Sequence, residues 1–166
     1  LAVSQTFEEN STLEGILGEL IVPAVKRKEL ELREKGLVCL GLCCLIARRM
    51  ALNSFQLFLS QVQTAPEVLK LRVLQVVFDV LMVHEGDFLA NASVGVRLIL
   101  ILRLFPYQPM HSYWLQGGRV IEFLLQVLGN EESDKVQALI CTGFAKLMLS
   151  GMISDERVYA FCHSIF

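Results

Sequence analysis

Three of the five cysteines, Cys39, Cys43 and Cys44, crowd into one short run, and Cys39 and Cys43 stand one helical turn apart. That spacing could offer two thiolates to a metal ion. A closed site needs further ligands, and His84, His111 and His163 are not in ligand spacing with one another. The cysteines lie inside the apolar run Gly36 to Ala47, where cysteine serves as a small buried residue, and we read them as structural. No Gly-x-Ser-x-Gly elbow, phosphate-cradling Gly-x-x-x-x-Gly-Lys or His-Glu-x-x-His occurs. Gly117-Gly118 reads as a turn, and the paired carboxylates Glu8-Glu9 and Glu131-Glu132 precede helices, where acidic groups complement the helix dipole. The expectation is a protein that is not an enzyme, with no catalytic, cofactor-binding or metal-binding residues.

Basic residues offer a second kind of chemistry. Lys26-Arg27-Lys28 and Arg48-Arg49 are expected at helix-joining turns, where long cationic side chains can reach the phosphates of double-stranded DNA without reading sequence. The competing reading is a pair of solvated turns, since Glu29, Glu31 and Glu34 dilute the first cluster and no aromatic residues interleave for stacking. Net charge is −2, so no overall basic character points to nucleic acid. Arg33 and Arg72 occupy equivalent places in two successive helices, suited to a ladder of ion pairs between repeats or to a ligand.

The elements that must position these residues are helices. Hydrophobic residues make up 54% of the 166-residue chain and charged residues 19%, apolar enough to imply faces covered by more protein. The Gly36–Ala47 run is too short to cross a bilayer, so no membrane contact is expected. No basic and hydrophobic leader is evident at the start and the cysteines lack the spacing of a disulfide framework, so a location inside the cell is the expectation.

Ser11-Thr12-Leu13-Glu14 has the form of a capping box, and Leu13, Ile16, Leu17, Leu20 and Ile21 then recur on one helical face until Pro23 bends or ends the run. A second helix from about Glu29 to Ala47 is apolar on every side in its latter half, which implies burial between neighbours. Asn53 and Gln56 suggest a cap before the stripe Phe55, Phe58, Leu59 and Val62, and Thr64-Ala65-Pro66-Glu67 a further capping box opening a helix to about Val83. From Leu32 to Leu71 the offset is 39 and from Leu13 to Phe55 it is 42, both near the period of HEAT and armadillo repeats.

A third copy, with Ile121, Leu124, Leu125 and Leu128 on its first helix and Val136, Leu139, Ile140, Phe144 and Leu147 on its second, is displaced by extra residues. Omitting Val94 to Gly117 restores the period, so that stretch, with Pro106, Pro109, Tyr107, Tyr113 and Trp114, is expected to be a weak helix and loop inserted between repeats. The fold class is therefore all-α, a HEAT/armadillo-like α-solenoid of about three helix pairs with an irregular insertion. Its divisions are an N-terminal extension over 1–10, two repeats over 11–93, the insertion over 94–117, a third repeat over 118–157 and an atypical tail over 158–166.

The run Leu32-Arg33-Glu34-Lys35-Gly36-Leu37-Val38-Cys39-Leu40-Gly41-Leu42-Cys43-Cys44-Leu45 resembles the G-type HEAT-repeat subunit of condensin. The likeness continues through Phe55-Gln56-Leu57-Phe58, the stretch from Leu69 to Asp79, Asp134 to Leu139 and Gly143 to Leu147, covering roughly residues 12–93 and 118–157 toward that subunit's C-terminal end. The resemblance implies a non-catalytic scaffold that binds the kleisin subunit, joins the SMC ATPase pair through the complex and helps hold double-stranded DNA during mitotic chromosome condensation. It implies localisation to the nucleus and mitotic chromosomes, with a cytoplasmic pool. Periodicity alone leaves open a HEAT or armadillo adaptor of another complex, such as transport machinery. Val94 to Gly117 and the tail Tyr159 to Phe166 depart from the family pattern and are read as unspliced segments without function, a reading that a continuous coding transcript would refute.

Overall fold

In the computed structural model the described residues, 11–89 and 117–165, form only helices joined by short turns. They divide between two compact units, the first ending at Val83 and the second beginning at His84. Within the first unit, α1 (Ser11–Ile16) runs through a π-helical turn (Leu17–Ile21) into α2 (Val22–Val25). Pro23 explains the π turn. Proline has no N–H to donate and its ring presses on the carbonyl four residues back. Widening the preceding turn relieves this, and the Val22 N–H bonds to the Leu17 carbonyl, five residues back. The helix therefore continues past the proline to Val25. The extra residue rotates the remainder of the helix by about 100° relative to an unbroken α-helix, and the expected stripe is split: Ile21 is buried while Ile16 and Leu20 are exposed.

A four-residue connection leads to α3 (Leu30–Ile46), close to the expected bounds. Leu37, Leu40, Cys43 and Cys44 are buried, but the helix is not enclosed on every side: Leu42 is 56% and Ile46 51% exposed. Neighbouring helices cover α3 on part of its circumference only, and one apolar stripe faces outward.

The next helix, α4 (Arg48–Thr64), starts five residues before the expected cap at Asn53. Ala47 is the reason. Its extended backbone (φ −115°, ψ 104°) lets its N–H close α3 on Cys43 while its carbonyl accepts the first bond of α4 from Ala51. Asn53 and Gln56 consequently sit exposed within α4, and its stripe Phe55, Phe58, Leu59 and Val62 is buried as expected. The capping box at Thr64 does not form either. Its hydroxyl donates to the Ser60 carbonyl at 2.9 Å, closing α4. Pro66 stands immediately before α5 (Glu67–Val83) and accepts from the Lys70 N–H, so its missing donor costs nothing.

The second unit holds α6 (Glu85–Phe88), α7 (Gly117–Asn130), α8 (Asp134–Leu149) and α9 (Glu156–Ile165). Gly117 and Gly118 open α7 and do not form a turn. Ile121, Leu124, Leu125 and Leu128 of α7 face Val136, Ile140, Phe144 and Leu147 of α8 in the same core, the third helix pair expected from the repeats. Ser133 caps α8 by accepting from the Val136 N–H, and Glu131 accepts from the Ser133 N–H, the capping role expected for that carboxylate. The expected insertion, apart from Gly117, lies outside the described residues, as does the extension over 1–10. The boundary drawn after Arg157 falls inside α9, where Val158 is fully buried.

At the end of α8, Met152 N–H bonds the Leu147 carbonyl and Gly151 N–H that of Met148, the paired bonds of a Schellman cap. Gly151 has φ +72°, a left-handed conformation costly for a residue with a Cβ. Gly151→Ala is expected to destabilise the protein by about 1–2 kcal/mol in chemical unfolding. Gly151→Asn should lose less.

Candidate partner-binding groove

Two contacts define the relation of α3 to α5. Arg72 Nε lies 3.1 Å from Glu34 Oε1, and a Cβ placed on Gly41 would meet Val76 Cγ1 at 2.6 Å. Both residue numbers rise together, so the two helices run parallel, as the inner helices of successive helix pairs do. Between them lies a groove of about 400 Å³. Val38, Gly41, Leu42, Leu45 and Val76 form its apolar floor and walls; Lys35 and the Arg72–Glu34 pair stand at one end and Asp79 at the other.

The groove exists because α3 has apolar residues on two adjoining rows where a solvent-facing helix would carry one. Val38, Gly41 and Leu45 follow Glu34 on the row nearest α5; Cys39, Leu42 and Ile46 follow Lys35 on the exposed row. Gly41 removes the side chain where the helices come closest, and the walls rise on either side of that point. The all-apolar half of α3 signalled in the sequence that this helix has a second surface, without showing which face stays uncovered.

The candidate basic residues fall at two separate places. Lys26, Arg27 and Lys28 are exposed in the connection before α3. Arg48 and Arg49 are also exposed, but they form the first turn of α4 and do not lie in a longer joining turn. The two clusters therefore sit at opposite ends of α3, about 25 Å apart along its axis. Arg49 is also held 3.4 Å from Glu14, both side chains well exposed, a contact worth about 0–1 kcal/mol.

Arg72 reaches from one inner helix to the other, as a ladder would require, through Glu34 and not through Arg33. Arg33 is half-buried, and its Nε is buried without a hydrogen-bond partner.

Cys43 and Cys44 are buried and Cys39 is exposed. Burial pushes the Cys44 thiol up to about 12 against an opposing hydrogen bond with Ser54, and burial followed by the neighbouring Cys39 raises Cys43. Both stay protonated near neutrality, which leaves them weak nucleophiles. Among the described residues no group of three or more His, Cys, Asp or Glu converges as metal ligands would. No described helix is long and apolar enough to cross a membrane.

An ion-pair cluster that sequence reading missed ties α9 to α7. Arg157 lies 2.7 Å from Asp155 Oδ2 and 3.3 Å from Glu122 Oε1, and its backbone N–H also donates to Asp155. These residues are 2 and 35 positions apart, and only the pairing of α7 with α9 brings Glu122 in. Hydrogen bonding from Arg157 holds the Asp155 carboxyl below its usual range against the opposing effect of burial. Because the folded state depresses this pKa, the contribution is present above the unfolded value of about 3.9 and is lost as pH falls through the folded value. Asp155→Asn should therefore destabilise by about 1 kcal/mol at pH 7, discounted for exposure. In thermal melts the difference from the parent should close as the pH is lowered through the depressed folded pKa of Asp155.

Stacked helix pairs with parallel inner helices and an apolar groove between them define a helical-repeat protein of the HEAT kind. Comparison with known proteins narrows the class. The profile of the family described as "Nuclear condensing complex subunits, C-term domain" matches residues 1–161. Proteins named condensin complex subunit 3 are similar: that of Schizosaccharomyces pombe is 34% identical over 86% of this chain, that of Saccharomyces cerevisiae 26% over 95%, and that of Homo sapiens 24% over 90%. The chain belongs to this condensin subunit family, as the resemblance implied. It spans 16%, 13% and 15% of the lengths of these three relatives.

Proposed function

We propose that this chain is a non-catalytic scaffold segment of a condensin HEAT subunit, acting in the nucleus and on mitotic chromosomes by holding a segment of the kleisin partner. The apolar groove between α3 and α5, in a chain of this family, is the observation that supports the reading most directly. Leu42 and Ile46, one turn apart on the same row of α3, are both about half-exposed beside the groove, an apolar strip suited to cover by other protein. The Arg72–Glu34 contact serves as a rung that fixes the spacing of the inner helices and hence the width of the groove. Contact with the SMC ATPase pair is indirect, through the kleisin and the rest of the complex.

Capture of kleisin by the whole chain and by a chain lacking residues 94–117 tests partner and insertion together. Retention of kleisin by both supports the scaffold reading and an insertion without function. Loss from both, with the kleisin of the matching complex, would overturn it. Recovery instead with a transport GTPase or coat protein would favour the adaptor reading.

For DNA, the split of the basic residues matters. Lys26, Arg27 and Lys28 can contact phosphates at one end of α3 and Arg48 and Arg49 at the other, so charge reversal of each set separately, assayed for duplex binding at fixed salt, distinguishes one contact from two. Unchanged affinity in both variants removes these residues from any DNA-holding role.

A further inference from the structure

The groove has a polarity that restricts what it can hold. One end carries Lys35 and Arg72 against the single carboxylate Glu34; the other carries Asp79. The carbonyl ends of α3 and α5 lie beyond Leu45 and Asp79, so their negative helix-dipole ends reinforce the Asp79 end. Between the two, the surface is apolar side chain apart from the Cys39 thiol and the Gln75 amide, whose oxygen accepts from Arg72 at 3.4 Å.

An extended peptide laid along that floor would turn most of its N–H and C=O groups toward Val38, Leu42, Leu45 and Val76, which cannot answer them, with the single amide of Gln75, already engaged by Arg72, as the exception. A helix satisfies its own backbone and presents only side chains. The distance from Glu34 to Leu45 corresponds to about 17 Å of helix, room for roughly three turns of an occupant.

We infer that the α3–α5 groove receives an amphipathic helix of a partner polypeptide, lying antiparallel to α3 and α5, with its N-terminal, basic end beside Asp79 and its C-terminal, acidic end beside Lys35 and Arg72. The inference rests on the scaffold reading only in taking the partner to be a polypeptide; it adds the partner's secondary structure, direction and charge order. Phosphate-bearing ligands do not fit an apolar floor whose end charges are opposed.

The test uses the whole chain and three labelled peptides of about 12 residues with identical composition, read by fluorescence anisotropy. The first has leucines at helical i, i+3, i+4 and i+7 spacing, lysines in its first turn and glutamates in its last. The second exchanges the charged ends. The third scatters the leucines. The second peptide is the better helix in isolation, because its charges suit its own dipole, so tighter binding by the first cannot be ascribed to greater helicity.

The first peptide should bind roughly tenfold tighter than either of the others. Leu42→Glu, whose side chain is already exposed, should weaken it roughly tenfold with unchanged circular dichroism. The double variant Lys35→Glu/Asp79→Lys should exchange the preference between the first two peptides. Equal affinity for the first two, undiminished binding of the scattered peptide, or indifference to Leu42→Glu would overturn the inference. A self-association seen in sedimentation and abolished by Leu42→Glu would do so too, by making a second copy the occupant. Kleisin capture that survives Leu42→Glu leaves the scaffold reading standing and removes this one; peptide discrimination without kleisin capture does the reverse.

Discussion

Phe58→Ala is expected to lower the unfolding free energy by about 3–5 kcal/mol, the largest effect of any single truncation proposed for this chain. Phe58 has no exposed surface and lies on the α4 stripe with Phe55, Leu59 and Val62. Removing its ring loses apolar burial and leaves a cavity that helices packed on several sides cannot collapse to fill. Urea unfolding followed by circular dichroism gives the measurement. Phe58→Leu, which keeps most of the volume, should lose much less. A loss below about 1 kcal/mol for the alanine variant would show that this position is not a core position.

The second large effect concerns Gly36. A Cβ there would lie 2.8 Å from the backbone nitrogen of Val25 and 3.0 Å from the Ala24 carbonyl carbon. These are main-chain atoms of α2 and cannot turn aside as a side chain can, so Gly36→Ala must force α2 and α3 apart. Overpacking of this kind costs about 1–3 kcal/mol and more when backbone must move, against the roughly 1 kcal/mol that alanine gains over glycine inside a helix. We expect a net loss, and for Gly36→Val one large enough to lower expression. Gly15 supplies the control, since nothing lies within 4 Å of a Cβ at that site. There the same change to alanine should leave stability unaltered or raise it by up to about 1 kcal/mol. Thermal unfolding of the pair decides the matter: gains of equal size at both sites would show that helix propensity and not crowding dominates.

Much of this architecture is legible in the residues. Phe55, Phe58, Leu59 and Val62 announce the buried face of α4, and Ile121, Leu124, Leu125 and Leu128 that of α7, because a helix must turn a stripe of such residues away from water. The helix starts are less legible. A capping sequence is a short pattern that any polar residue pair can satisfy, and Asn53 and Thr64 lose to Ala47 and Pro66, where tight backbone turns do the same work. Pro23 suggests a bend or a stop because a π turn leaves no mark in the sequence beyond the proline that requires it. The groove is half legible. Its apolar wall can be read from α3, whereas its end charges depend on bringing Arg72 and Asp79 of another helix alongside, a matter of parallel register and not of local sequence. The Arg157 cluster is invisible for the same reason.

One residue, Ala47, separates two 17-residue helices, and its N–H and carbonyl are both committed to them. Bending at that elbow would break the last hydrogen bond of one helix or the first of the next, so the angle between α3 and α4 behaves as a fixed corner. The connection from Lys26 to Glu29 is longer and exposed. A change of angle along this part of the chain should therefore fall before α3 and leave the corner at Ala47 unchanged, and it requires the main chain of α2 to leave its close seat on Gly36.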